Sequence, residues 1–68
     1  MSPAEFRSIL ARSNLSQVGA ARLLGVADYT VRRWAKDGVD GPVAILWRLL
    51  DAGVIDPDDI AEARMKIS

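Results

Sequence analysis

Apolar residues recur along this chain at intervals of three and four, the period of helices that bury one face. The pattern predicts five helices and no strands. The first run is Phe6, Ile9 and Leu10, spaced i, i+3, i+4. Ser2-Pro3-Ala4-Glu5 precedes it as a helix start: a Ser cap, Pro at the first helical position, and Glu three after the cap. Asn14 is expected to end this helix. Ser16 caps the second helix behind Leu15, and Ala20, Ala21 and Leu24 give its buried stripe. Gly25 can adopt a positive φ that stops the helix and turns the chain, with Val26 plugging the turn into the core.

The third helix is expected over about Asp28 to Lys36, with Val31 and Trp34 inward and Gly38 as its stop. Val39-Asp40-Gly41 reads as a loop, and Pro42 starts the fourth helix at its first position. Val43, Leu46, Trp47 and Leu50 make one apolar face there, with Ile45 and Leu49 as a second stripe beside it. Gly53 ends that helix. Asp56 caps the fifth, Pro57 leads it, and Asp58 and Asp59 complement the positive end of its dipole. Ile60, Ala63 and Ile67 form its apolar face. No repeat, low-complexity stretch or long linker divides the chain. The expected architecture is one all-α domain over residues 1–68, with a helix-turn-helix pair at its centre.

The composition narrows the chemistry. The 68 residues include no Cys and no His. Disulfides, thiolate metal sites and thiol catalysis are therefore excluded, along with the commonest general base. Half the residues are apolar, which separates the chain from a disordered tail. No apolar run approaches the roughly 18 residues of a membrane span, and Met1-Ser2-Pro3-Ala4-Glu5 lacks the basic segment and apolar core of a signal peptide. A cytoplasmic protein without a membrane partner is the expectation. A domain this short buries only roughly 60% of the surface its unfolded chain exposes. With disulfide and His/Cys metal staples excluded, dimerisation is the remaining way to add stability.

Nine basic and nine acidic residues give a net charge of zero that conceals an asymmetry. Arg7, Arg12, Arg22, Arg32, Arg33, Lys36 and Arg48 outweigh the acids of residues 1–50 to give +3, and Asp51, Asp56, Asp58, Asp59 and Glu62 leave residues 51–68 at −3. A basic front and an acidic tail suggest an anionic partner at the front. No catalytic reading survives. The serines have no His, and pairing one with Lys36 or Lys66 lacks supporting context. The Asp56, Asp58, Asp59 cluster lacks the Gly and later Glu of a calcium loop, and helix capping accounts for it. No metal, cofactor or small-molecule ligand is implied.

The stretch from Leu15 to Trp34 carries most of the functional information. Ala21 is small where the next helix crosses it, Gly25 makes the turn, and Val31 and Trp34 fasten the later helix to the rest. Such a pair leaves the outer face of its second helix uncovered. That face carries Asp28, Tyr29, Arg32 and Arg33.

Leu15-Ser16-Gln17, Ala21, Leu23-Leu24-Gly25-Val26 and Thr30-Val31-Arg32-Arg33-Trp34 together resemble the helix-turn-helix of the Cro/C1-type (XRE) repressor family. The match covers about twenty residues strongly and the flanking helices loosely. Size and the Ala20–Gly25 and Val31–Arg33 stretches are similar to those of the short phage-encoded and anti-CRISPR-associated regulators. The resemblance implies a lambda repressor-like fold that lays its later helix in the major groove of double-stranded DNA. Asp28, Tyr29, Arg32 and Arg33 would then face the bases.

Arg33 suits a bidentate contact to guanine O6 and N7. Arg32 suits a base or a phosphate. Tyr29 suits a thymine methyl, a phosphate or packing in the turn. Asp28 either accepts from cytosine N4 or pairs with the helix dipole. Gln17 falls where the family contacts phosphate, Asn14 and Ser16 lie beside it and Lys36 follows the reading helix; all four are expected at phosphates, which positions the protein without reading sequence. Where many members pair an Arg of the first helix with an acid on the third, the matching positions are Leu10 and Ala35, so an apolar link is expected.

Geometry calls for two copies, because one helix-turn-helix reads about half a site. Ile45, Trp47, Leu49, Ile60, Met65 and Ile67, within residues 47–67 and the second stripe of the fourth helix, are the expected dimer contacts. The functional expectation is a homodimeric repressor on an inverted-repeat operator within a promoter, regulating its own operon. The alternatives are the antitoxin of a toxin–antitoxin pair and a helical protein-interaction module.

Overall fold

Three of the five helices begin where a short side chain reaches its own backbone. A computed structural model describes residues 1–67 apart from the side chain of Ile67, and gives α1 (Pro3–Arg12), α2 (Gln17–Leu24), α3 (Asp28–Asp37), α4 (Gly41–Asp51) and α5 (Pro57–Ile67). Ser2 Oγ accepts the Glu5 N–H at 3.1 Å, and Ser16 Oγ accepts the Gly19 N–H at 2.9 Å. Asp56 and Asp59 cap each other's backbone reciprocally: the Asp59 N–H donates to Asp56 Oδ1 at 3.0 Å and the Asp56 N–H to Asp59 Oδ2 at 2.9 Å. Each arrangement satisfies N–H groups that a helix end otherwise leaves open.

The fold is all-α, as the periodicity predicts, with small differences at the ends. Ser13 is the cap residue of α1, and Asn14 takes the left-handed position beyond it at φ 57°. α3 runs one residue past Lys36. α4 begins at Gly41, which puts Pro42 second rather than first. Gly25 has φ 71° and ends α2, so Gly25–Ala27 is all that separates α2 from α3. Glycine, with no Cβ, adopts that left-handed backbone at no steric cost.

α3 packs against both α1 and α2, α4 lies on α1, and α5 lies on α2. Phe6, Val31, Val39 and Trp47 are wholly enclosed, with Ile9, Leu10, Ala20, Ala21, Ala35, Ala44, Leu50 and Ile60 around them. Phe6, Trp34 and Trp47 meet edge to face, with ring centroids 5.9, 5.2 and 6.4 Å apart. The Trp47 indole N–H has no hydrogen-bond partner among the described residues. That omission costs about 1–3 kcal/mol. Truncating a buried Trp typically costs about 3–5 kcal/mol, so the packing of the ring outweighs it. The radius of gyration is 11.1 Å, close to the roughly 11 Å of a compact chain of this length.

Three sequence expectations change. Trp47 and Ile60 were expected at a dimer interface, but both are buried within one chain. Trp47 fills the space between α1, α3 and α4, and Ile60 is the side chain by which α5 enters the core. Neither offers surface to a second copy. Ala63, expected on the buried face of α5, is exposed. Ile67, expected both on that face and at the interface, has its side chain outside the described residues.

Arginines tie the helices together at their ends. Arg7 of α1 donates to the Ala35 carbonyl of α3. Leu10 and Ala35, expected to be apolar where relatives carry an ion pair, both lie in the apolar core, and Arg7 adds a polar tie from α1 to the Ala35 backbone. Arg64 of α5 donates to the carbonyls of Arg22 and Leu23 at the end of α2, 3.0 Å from the second. Its guanidinium lies over Gly25, 2.9 Å from where a Cβ would stand. Arg12 grips Asp51 with two bonds of 2.8 and 2.9 Å, joining the last turns of α1 and α4. The hydrogen bond from Arg12 holds the Asp51 carboxyl below the usual carboxylate range and raises the pKa of Arg12 itself.

Candidate nucleic-acid interface

The candidate surface is built on α3. Val31 and Ala35 of this helix are buried and Trp34 is half-buried. At about 100° of rotation per residue, Tyr29, Arg33 and Lys36 fall opposite that stripe, with Arg32 beside them. All four side chains are exposed, Tyr29 at 58%. The one-sided burial of α3 thus projects three cations and one aromatic ring away from the core.

Asp28 is also exposed but sits elsewhere on the wheel, about 60° round from Val31. It lies in the first turn, behind an Ala27 cap that supplies no side-chain hydrogen bond. A carboxylate there meets the positive end of the helix. Its position favours the dipole role over a place among the outward side chains.

Charge commitment separates the cations into two groups. Of the nine Lys and Arg residues, Arg7, Arg12, Arg64 and Lys66 have partners within the fold. The side chains of Arg22, Arg32, Arg33, Lys36 and Arg48 take part in no ion pair or hydrogen bond among the described residues. Three of those five are on the outer face of α3. The cations of this face make none of the ion pairs and hydrogen bonds that join the helices among the described residues.

The start of α2 adds polar groups. Gln17 is exposed in its first turn, and Asn14 is exposed at its positive-φ position just before. Ser16 is exposed; its oxygen accepts the capping N–H, and its hydroxyl proton is still free to donate outward. Val18 is exposed at 45% beside them. Asn14, Ser16 and Gln17 therefore cluster at one helix end, and Lys36 stands apart near the far end of α3.

Beyond the outer face, Arg33 borders a groove of about 320 Å³ lined by Thr30, Trp34, Asp37, Gly38 and Asp40. The sequence reading missed Asp37 and Asp40 as neighbours of Arg33. The i, i+4 spacing of Arg33 and Asp37 was the available signal. Among the described residues no group of three or more His, Cys, Asp or Glu side chains is placed to hold a metal, and no helix is long and apolar enough to cross a membrane.

On α4, Ile45 at 60% and Leu49 at 37% are exposed, and Met65 of α5 is exposed at 78%. These three remain of the expected dimer contacts. Ile45 and Leu49 are exposed on α4 together with Pro42, Arg48 and Asp51.

Comparison with models of known protein families, with curated proteins and with solved structures finds no match.

Proposed function

We propose that this chain is a sequence-specific double-stranded DNA-binding regulator, a binding protein rather than an enzyme. The observation that carries the reading is the set of uncommitted cations on α3. Arg32, Arg33 and Lys36 project from a helix held on its inner side, while the arginines at the helix ends are spent on structure. Charge that joins no helices among the described residues suits a polyanion outside the fold. The resemblance of the α2–α3 pair to the Cro/C1-type repressors supports the same reading. Tyr29, Arg32 and Arg33 read bases, and Lys36 with the Asn14–Gln17 cluster holds phosphate.

The regulator works as a homodimer. Successive major-groove half-sites lie about 34–36 Å apart. One chain measures 30 × 25 × 23 Å and carries one α3, so it cannot reach both. The apolar solvent face of α4 around Ile45 and Leu49 supplies a self-complementary patch, with Met65 as a further contact. Bound over a promoter in the cytoplasm, the dimer excludes polymerase and represses its own operon, in the manner of small phage-encoded or anti-CRISPR-associated regulators.

Selection from a randomised duplex library tests this reading. The expected product is an enriched inverted repeat whose binding weakens steeply with salt. No enrichment, with no salt-dependent affinity for duplex DNA, overturns it.

A further inference from the structure

Asp37 is the last residue of α3, where the carbonyl end of the helix disfavours a carboxylate. It is exposed and joins no ion pair or hydrogen bond among the described residues. Asp40 caps α4 without a side-chain hydrogen bond. Asp37 opposes the dipole of its own helix, and what it does for the fold leaves it unexplained. Both carboxylates line the groove that Arg33 borders. Arg33 and Asp37 are four residues apart on one helix, the spacing that sets side chains next to each other.

The geometry points to Asp37, with Asp40 behind it, as a specificity-determining group that biases Arg33 toward bases and away from phosphates. This rests on the DNA-binding reading above. An arginine on phosphate adds affinity for every sequence alike. A carboxylate beside that arginine lowers the positive potential a phosphate meets, and it repels the phosphate itself. A guanine edge is neutral and offers O6 and N7 as acceptors, so the carboxylate leaves that contact intact. Specificity is a difference of affinities, and penalising the wrong complex enlarges it. Asp37 accordingly weakens binding to arbitrary DNA more than binding to the operator.

The experiment compares the wild type, Asp37→Asn, Asp37→Glu, Arg33→Ala and the double variant Arg33→Ala/Asp37→Asn. Affinities are read on the library-selected duplex and on a scrambled duplex over a salt series, with circular dichroism as the fold check. Asp37→Asn is expected to tighten scrambled binding by about three- to tenfold at low salt. Operator affinity changes by less than about twofold, so discrimination falls. Asp37→Glu, which keeps the charge, retains wild-type discrimination. The Asn substitution has no effect on discrimination once Arg33 is gone. Equal tightening on both duplexes, or an effect of the same size without Arg33, overturns the inference and leaves the DNA-binding reading standing. A wild type that binds no duplex overturns both. Asp40→Asn is a second variant, expected to act in the same direction with a smaller change.

Discussion

Met1 and Val39 exchange two hydrogen bonds: the Met1 amino group donates to the Val39 carbonyl at 2.8 Å, and the Val39 N–H donates to the Met1 carbonyl at 2.9 Å. The exchange pins the start of the chain to the loop that leaves α3. It works only because Gly38 stands between them. Gly38 has φ 100°, and a Cβ there would lie 2.6 Å from the Met1 carbonyl oxygen. Gly38→Ala is expected to cost about 2–4 kcal/mol, from backbone strain and loss of the exchange together. Urea unfolding measures it, and a loss under about 0.5 kcal/mol counts against the contact.

Arg33→Ala removes a side chain with no ion pair or hydrogen bond among the described residues. Operator binding is expected to weaken by about 1–3 kcal/mol, with preference relaxed at one base pair per half-site and stability unchanged. A gel-shift titration matching the wild type refutes base reading by Arg33.

Lys36→Ala is expected to weaken operator and scrambled DNA alike. The slope of log affinity against log salt becomes shallower by about one unit per half-site. A loss confined to the operator, with the slope intact, removes Lys36 from the phosphate contacts.

Ile45→Asp tests the α4 face without touching the core, since Ile45 is mostly solvent-exposed in one chain. Sedimentation is expected to show a folded monomer, and operator affinity to drop about tenfold or more as the two half-sites uncouple. A dimer with unchanged operator affinity places the interface elsewhere.

The Arg12–Asp51 pair gives a pH dependence of known sign. The Asp51 pKa is lowered in the fold, chiefly by the hydrogen bond from Arg12. The stability it adds is present above the ordinary aspartate range and is lost as pH falls through the depressed folded value. Arg12 has its pKa raised, so its share is lost only at strongly alkaline pH. Arg12→Gln is expected to return the Asp51 titration upward, as followed by carboxyl-carbon NMR. An unmoved titration denies the pair that role.

Helix starts were legible in the sequence because capping is local. Ser2, Ser16 and Asp56 bond to N–H groups three residues on, and those residues are adjacent in any helix. The outward face of α3 was legible for the same reason, through the spacing of Val31 and Trp34. The division between core and interface was not. Trp47 and Ile45 belong to neighbouring apolar stripes of α4, and only the position of α1 and α3 decides which stripe is enclosed. Ile60 is a like case, since whether α5 docks depends on α2, far away in sequence. The bonds from Arg7 and Arg64 were invisible because their acceptors are backbone carbonyls, which every residue carries alike. The setting of Asp37 is not local to its helix, because the groove it lines is formed partly by Gly38 and Asp40 of the following loop.

The two tryptophans give the protein an optical readout of its own. Trp47 is enclosed, with no partner for its indole N–H among the described residues, and should emit at the short-wavelength end of the tryptophan range. Trp34 is half-exposed on the helix proposed to read DNA, its ring in the wall of the groove that Arg33 borders. Unfolding moves both rings into water, whereas a nucleic acid settling on α3 leaves Trp47 enclosed and alters chiefly the open side of Trp34. Emission colour and quencher access thus distinguish loss of fold from occupancy by DNA in a single unlabelled sample.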